Sequence, residues 1–176
     1  GRAVVEFGTR RAHSPHAGLL AGRAAYIGGC AGTSNTLAGM KFGIPVFGTA
    51  AHSWVQAFTS EIDAFRQLQN LLGENTVYLI DTYDTAEGAR NAARLGRPMW
   101  GVRLDSGNIL ELARQVRRIL DDAGHHDAKI MATSDLNEYK ILEYMAASAG
   151  MVLPLASTVS VRSPCSSTNS SKTRSR

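Results

Sequence analysis

Seven charged residues stand at or just behind short apolar runs. Val4-Val5-Glu6-Phe7 leads to Gly8-Thr9-Arg10, and Ile44-Pro45-Val46-Phe47 leads to Gly-Thr-Ala-Ala-His-Ser at 48–53, which sets His52. Val77-Tyr78-Leu79-Ile80 leads to Asp81-Thr82-Tyr83-Asp84. Trp100-Gly101-Val102-Arg103-Leu104 contains one arginine and leads to Asp105-Ser106-Gly107-Asn108, and Lys129-Ile130-Met131-Ala132 leads to Thr133-Ser134-Asp135. Guanidinium forks suit phosphate or carboxylate. Carboxylates at such positions suit sugar hydroxyls or a magnesium shell. From residue types alone the substrate class is a phosphorylated sugar. Ser53 beside His52 is not a hydrolase pair, because adjacent residues do not usually set hydroxyl on imidazole. No Cys/His metal cluster, Gly-x-Gly-x-x-Gly turn or P-loop is present.

Each group also has a plainer role open to it. Arg103 could pair with a neighbouring acid, the 105–108 tetrapeptide could be only a helix N-cap, and His52 could cap a helix or bond a carbonyl. What favours chemistry is the phasing of the groups together. Apolar runs of strand length alternate with helical patterns, which implies a parallel sheet with right-handed crossovers, as a barrel or as an open sheet. In either, ligands bind at the C-terminal strand ends, so Arg10, His52, Asp81, Asp84, Arg103, Asp105 and Asp135 are expected on one rim. Ile109, Leu112, Ala113, Val116, Ile119 and Leu120 form a full helical stripe. Ser60 with Asp63 resembles a capping box, 85–95 is an Ala-rich helix and 136–148 a further one.

The 176 residues, 44% apolar, suit one globular domain with a real core. No apolar run approaches the length of a membrane span, and two cysteines build no disulfide framework, so a cytoplasmic protein that binds neither membrane nor nucleic acid is expected. The net charge of +4 does not argue otherwise: Arg162, Lys172, Arg174 and Arg176 all lie beyond the last acid, Glu143, and without them the chain is neutral. Residues 1–153 read as the folded domain. Residues 154–176 are too poor in large apolar side chains to offset chain entropy, and disorder is expected there.

The words EFGTRRAHSP, GTSNTLAG, GIPVFGTAAHSWVQAF, LIDTYDT, GVRLDSGN and TSDLNEYKI, in this order over about residues 2–150, resemble the nicotinate phosphoribosyltransferase family. The resemblance implies an α/β fold, an incomplete β/α barrel of the type II phosphoribosyltransferase kind. It also implies transfer of phosphoribosyl from phosphoribosyl pyrophosphate to nicotinate, giving nicotinate mononucleotide for NAD salvage. ATP, with Mg2+ as its counter-ion, is implied as co-substrate through a transient phosphohistidine. The full-length family member is expected as a homodimer. His52 matches the phosphoacceptor, Asp81 the carboxylate that orients its ring, and Asp105 the carboxylate that holds ribose hydroxyls. Phe7 resembles the aromatic that stacks on the pyridine, Arg10 and Arg103 the cations for phosphate and pyridine substituent, and Asn35 a base-pocket residue. Ser106 belongs to the same DSGN word, and Ser134 and Asp135 sit where a strand end nears the ribose phosphate.

Departures from the family pattern are Asn108, where Asp is usual, and Thr133-Ser134-Asp135-Leu136, where Ser-Gly-Asp-Leu is frequent. The family also carries an upstream domain and a later Asp-Ser-Phe-Gly strand. Codons for Val-Asp-Ser-Phe-Gly read one base out of frame spell Ser-Thr-Val-Ser-Val, residues 157–161, so the tail reads as frameshifted. The alternatives are a nicotinamide or quinolinate phosphoribosyltransferase, another sugar-phosphate barrel enzyme, or an inactive fragment docking to a full-length partner.

Overall fold

The computed structural model describes residues 3–133 and 136–147. The expected tail at 154–176 and the candidates Ser134 and Asp135 lie outside them. Three parallel strands form the main sheet: β3 (Val77–Leu79), β4 (Gly101–Leu104) and β5 (Lys129–Ala132), in the order β3-β4-β5. The register pairs Tyr78 with Val102 and Val102 with Ile130. Period-2 alternation divides the faces. Tyr78, Ile80, Val102, Leu104, Ile130 and Ala132 are almost fully buried in the main core, whereas Val77, Arg103 and Met131 point the other way and are only partly covered.

The core is completed by helices laid on that face. α6 (Ile109–Asp122) buries Ile109, Ala113, Val116 and Leu120, with Leu112 and Ile119 half-covered at the margin. α4 (Glu61–Leu72) contributes Ala64, Phe65 and Leu68, and α5 (Thr85–Leu95) contributes Ala89 and Ala92. α5 lies close to the sheet because Gly88 has no side chain: a Cβ there would run into the carbonyl of Ile80. Each of these helices starts on a polar cap. Ser60 Oγ accepts from the Asp63 N–H at 3.3 Å, Asp84 Oδ1 from Glu87 at 2.8 Å and Asn108 Oδ1 from Glu111 at 3.4 Å. The last helix, α7, is Glu138–Ala147.

The N-terminal part is a second, smaller sheet. β1 (Val5–Glu6) pairs in parallel with β2 (Gly32–Thr33), and Thr33 forms a single parallel bridge to Val46. Between them run α1 (Pro15–Ile27), capped by Ser14, and α2 (Thr36–Phe42), capped by Asn35. A short α3 (His52–Gln56) comes after the Val46 segment. The strand expected over Ile44–Phe47 is therefore reduced to one bridge, and β2, α1 and α2 add elements that the apolar-run pattern does not mark. All strand pairs are parallel and, among the described residues, no barrel closes. This is the expected α/β, incomplete β/α arrangement.

Candidate functional site

The C-terminal ends of both sheets open on one cleft of about 790 Å³, lined by Phe7, Arg10, His52, Arg103, Asp105 and Thr133 together with the small residues 48–51. Glu6 lies behind one wall and holds it in place. It is 2% exposed, and its carboxylate accepts from the Gly8 N–H and, at 2.5 Å, from Thr33 Oγ1. That grip turns the chain after β1, so that Phe7 and the 3-10 turn Thr9–Arg11 face the cleft. Asn35 supports the turn from behind: its Oδ1 accepts from Ala38 at 2.8 Å and its Nδ2 donates to Thr9 Oγ1 at 3.2 Å. Its side chain is engaged in the α2 cap rather than at the cleft wall.

Arg103 ties the two halves together. Nε donates to Thr133 Oγ1 at 3.0 Å, Nη1 to Thr49 Oγ1 at 2.7 Å and to the Ala50 carbonyl at 3.0 Å, and Nη2 to Asp105 Oδ1 at 2.6 Å. Protein oxygens thus use four of its five N–H groups. It is a clasp between β4, β5 and the 48–51 loop, with a single N–H left for anything in the cleft. Burial pushes the Asp105 carboxyl up, but the hydrogen bond from Thr133 and the charge of Arg103 outweigh it and hold Asp105 below its ordinary value.

His52 stands at the first residue of α3. Its Nδ1 is 3.1 Å from Thr82 Oγ1, and its Nε2 is 3.7 Å from Asp105 Oδ2. Asp81 does not hold the ring, as the family likeness implies it should. Its Oδ2 accepts from the Asp105 N–H at 2.8 Å and from Ser106 Oγ at 2.6 Å, while its Oδ1 is buried and, among the described residues, has no hydrogen-bond partner. Asp81 thereby pins the 105–108 turn. Gly107, at φ 77°, supplies the left-handed step that brings Asn108 to the start of α6. Asp84 does not join the rim; it is the α5 cap.

The structure thus gathers Phe7, Arg10, His52, Arg103 and Asp105 around one space. It ties Asp81 and Ser106 in behind and keeps Asn35 as a support. Thr49, Thr82 and Thr133 were not marked by sequence reasoning. Their only signal is position, each within a few residues of a marked group.

The nicotinate phosphoribosyltransferase family model matches residues 3–150. The chain belongs to this family. Over 153 residues it is 47% identical to nicotinate phosphoribosyltransferase pncB2 of Mycobacterium tuberculosis and 45% identical to the Bacillus subtilis nicotinate phosphoribosyltransferase. These alignments cover 84% and 83% of the chain but 33% and 31% of the relatives, so the chain spans about a third of their length. The nicotinate-nucleotide pyrophosphorylase of Pyrococcus furiosus superposes with a TM-score of 0.78 at 30% identity, covering 89% of this chain and 41% of that one. Within the nicotinate phosphoribosyltransferase family, then, this chain carries the segment with the FGTR, AHS and DSGN turns.

Proposed function

We propose that the cleft serves transfer of phosphoribosyl from phosphoribosyl pyrophosphate to nicotinate, coupled to ATP through phosphorylation of His52. The observation that carries this reading is the meeting of Phe7, Arg10, His52 and Asp105 around one space, in a chain of this family. In the reaction, the bond from the ribose anomeric carbon to pyrophosphate breaks and a bond to the pyridine nitrogen forms. Asp105, ionised at neutral pH, is a fixed anion that can accept from ribose hydroxyls and favours the positive charge that develops at the anomeric carbon. Phe7 offers a face to the pyridine ring. Arg10, largely exposed, offers its charge to phosphate or to the pyridine carboxylate. Arg103 keeps the 48–51 loop open beside His52, where Gly48, Ala50 and Ala51 leave room for a phosphoryl group. Asp81 and Ser106 act by holding the Asp105 turn. Asn35 is assigned to the base side through the Thr9 turn, and Ser134 and Asp135 to the ribose phosphate. Mg2+ is assigned to the nucleotide and pyrophosphate, as their counter-ion.

The test is formation of nicotinate mononucleotide by the purified chain with nicotinate, phosphoribosyl pyrophosphate, ATP and Mg2+, against His52→Ala. Product from the parent and none from the variant supports the reading; equal product from both overturns it. Competition by nicotinamide and quinolinate separates the three pyridines.

A second reading has its own observation. The inner face of the strands carries an apolar hollow of about 370 Å³ between Val5, Phe7, Val46, Phe47, Val77, Trp100 and Met131. Among the described residues β1, β3 and β5 are sheet edges, and such edges invite further pairing. An inactive chain that docks on a full-length partner would bury this face; inactivity alone with activity on mixing supports that case.

A further inference from the structure

We propose that Thr82 is the positioning residue that sets the tautomer and direction of the His52 ring. The functional meaning rests on the reading of His52 as phosphoryl acceptor; the geometry does not. A histidine attacks phosphorus through an unprotonated ring nitrogen, and the other nitrogen must then keep its proton on an acceptor. His52 Nδ1 has one group in reach that can play this part, the Thr82 hydroxyl at 3.1 Å. Nε2, on the cleft side, faces Asp105 Oδ2 at 3.7 Å, beyond hydrogen-bond reach. The other oxygen of Asp105 is taken by Arg103 and Thr133, and the guanidinium offsets part of the charge that would draw a proton onto Nε2.

The neighbouring carboxylate does not take this role among the described residues: its Oδ1 has no hydrogen-bond partner, the ring included. Asp81 spends its Oδ2 on the Asp105 N–H and the Ser106 hydroxyl. The end of β3 therefore divides the task between consecutive residues: Asp81 fixes the ribose-facing turn and Thr82 fixes the ring. Among the described residues His52 Nδ1 is the one hydrogen-bond partner of Thr82 Oγ1, which accepts when Nδ1 carries the proton and donates when it does not. A hydroxyl also suits the task chemically. It accepts the Nδ1 proton without adding a negative charge that would favour the imidazolium, and an imidazolium has no lone pair with which to attack.

The test is 15N NMR of the ring-labelled 176-residue chain, with His52→Ala for assignment and Thr82→Val and Thr82→Ser as variants. The expected result is a proton on Nδ1 in the parent and in Thr82→Ser, and a shift of population to Nε2–H in Thr82→Val with unchanged far-UV circular dichroism. A Thr82→Ala variant serves the same purpose if valine perturbs folding. A parent ring protonated on Nε2, or a tautomer indifferent to Thr82→Val and Thr82→Ala, overturns the proposal. In a second arm, labelling of His52 by γ-labelled ATP should slow about tenfold or more in Thr82→Val and recover in Thr82→Ser; equal rates in parent and Thr82→Val overturn it. Absence of label in the parent rejects the phosphohistidine reading separately, and the NMR arm still decides the role of Thr82.

Discussion

Arg103 and Asp105 should be strongly coupled in stability, and the structure sets the size of the effect. Their side chains are 14% and 27% exposed and meet at 2.6 Å. Removing one partner of a fully buried pair costs about 3–5 kcal/mol, because the survivor is left buried and unpaired. Residual solvent at Asp105 trims this to about 2–3 kcal/mol for Arg103→Met, and the bonds to Thr49 and Ala50 are lost with it. Asp105→Asn keeps the shape, leaves Arg103 three protein partners and should cost about 2 kcal/mol. The double variant should cost about 2–3 kcal/mol, no more than the first alone, which gives a coupling of about 2 kcal/mol.

Urea unfolding monitored by far-UV circular dichroism measures all four corners of the cycle. The pH dependence has a definite sign. Asp105 has a lower pKa folded than unfolded, so its contribution is fully present above the unfolded value of about 3.9. It is lost as pH falls through the depressed folded value. The coupling should therefore persist at pH 7 and shrink toward pH 3. Single-variant costs that add within about 0.5 kcal/mol, or a coupling that ignores pH, would refute the clasp.

Two further stability effects are expected. Glu61 has a buried Oε1 with no hydrogen-bond partner among the described residues; burial raises its pKa, the Asn91 hydrogen bond opposes this, and Glu87 and Asp84 add to the rise. The folded form thus loses stability as pH rises from the unfolded value of about 4.3 through the folded one. Glu61→Gln should stabilise the chain by about 1 kcal/mol at pH 7 and by little at pH 4; thermal melts at both pH values check it, and a loss at pH 7 contradicts it. Gly88→Ala gains helix propensity but drives a Cβ into the Ile80 carbonyl. A net cost of about 1–2 kcal/mol is expected, read as a lower urea midpoint, and a rise in midpoint means that α5 does not lie on β3 as described.

Much of the fold was legible wherever a signal is local. α6 is written in a stripe of six apolar residues, α4 in its Ser60–Asp63 start, and β5 runs over the four residues that its apolar run marks. The rim was legible only in part: Arg10, His52, Arg103 and Asp105 line the cleft, since parallel strands deliver the loops at their C-terminal ends to one side of the sheet, whereas Asp84 caps α5, Asp81 lies behind and Asp135 is outside the described residues. The hydrogen bonds that give each rim residue its task were not legible. Arg103 meets Thr49 across 54 positions of sequence, His52 meets Thr82 across 30, and Asp81 meets Ser106 across 25. The family resemblance, not residue type, made Asp81 the partner of His52; the register of β3 beside β4 hands its carboxylate to the 105–106 turn instead. The apolar run at 44–47 shows the same limit, because a strand exists only where a neighbour completes its ladder, and here that neighbour is a single bridge from Thr33. By itself the sequence determined that Arg10, His52, Arg103 and Asp105 stand at strand ends facing one mouth, through the period of its apolar residues and the caps beside them. Which oxygen answers which proton was decided by tertiary structure, because hydrogen bonds reach about 3 Å and only the packed sheets bring such distant residues that close.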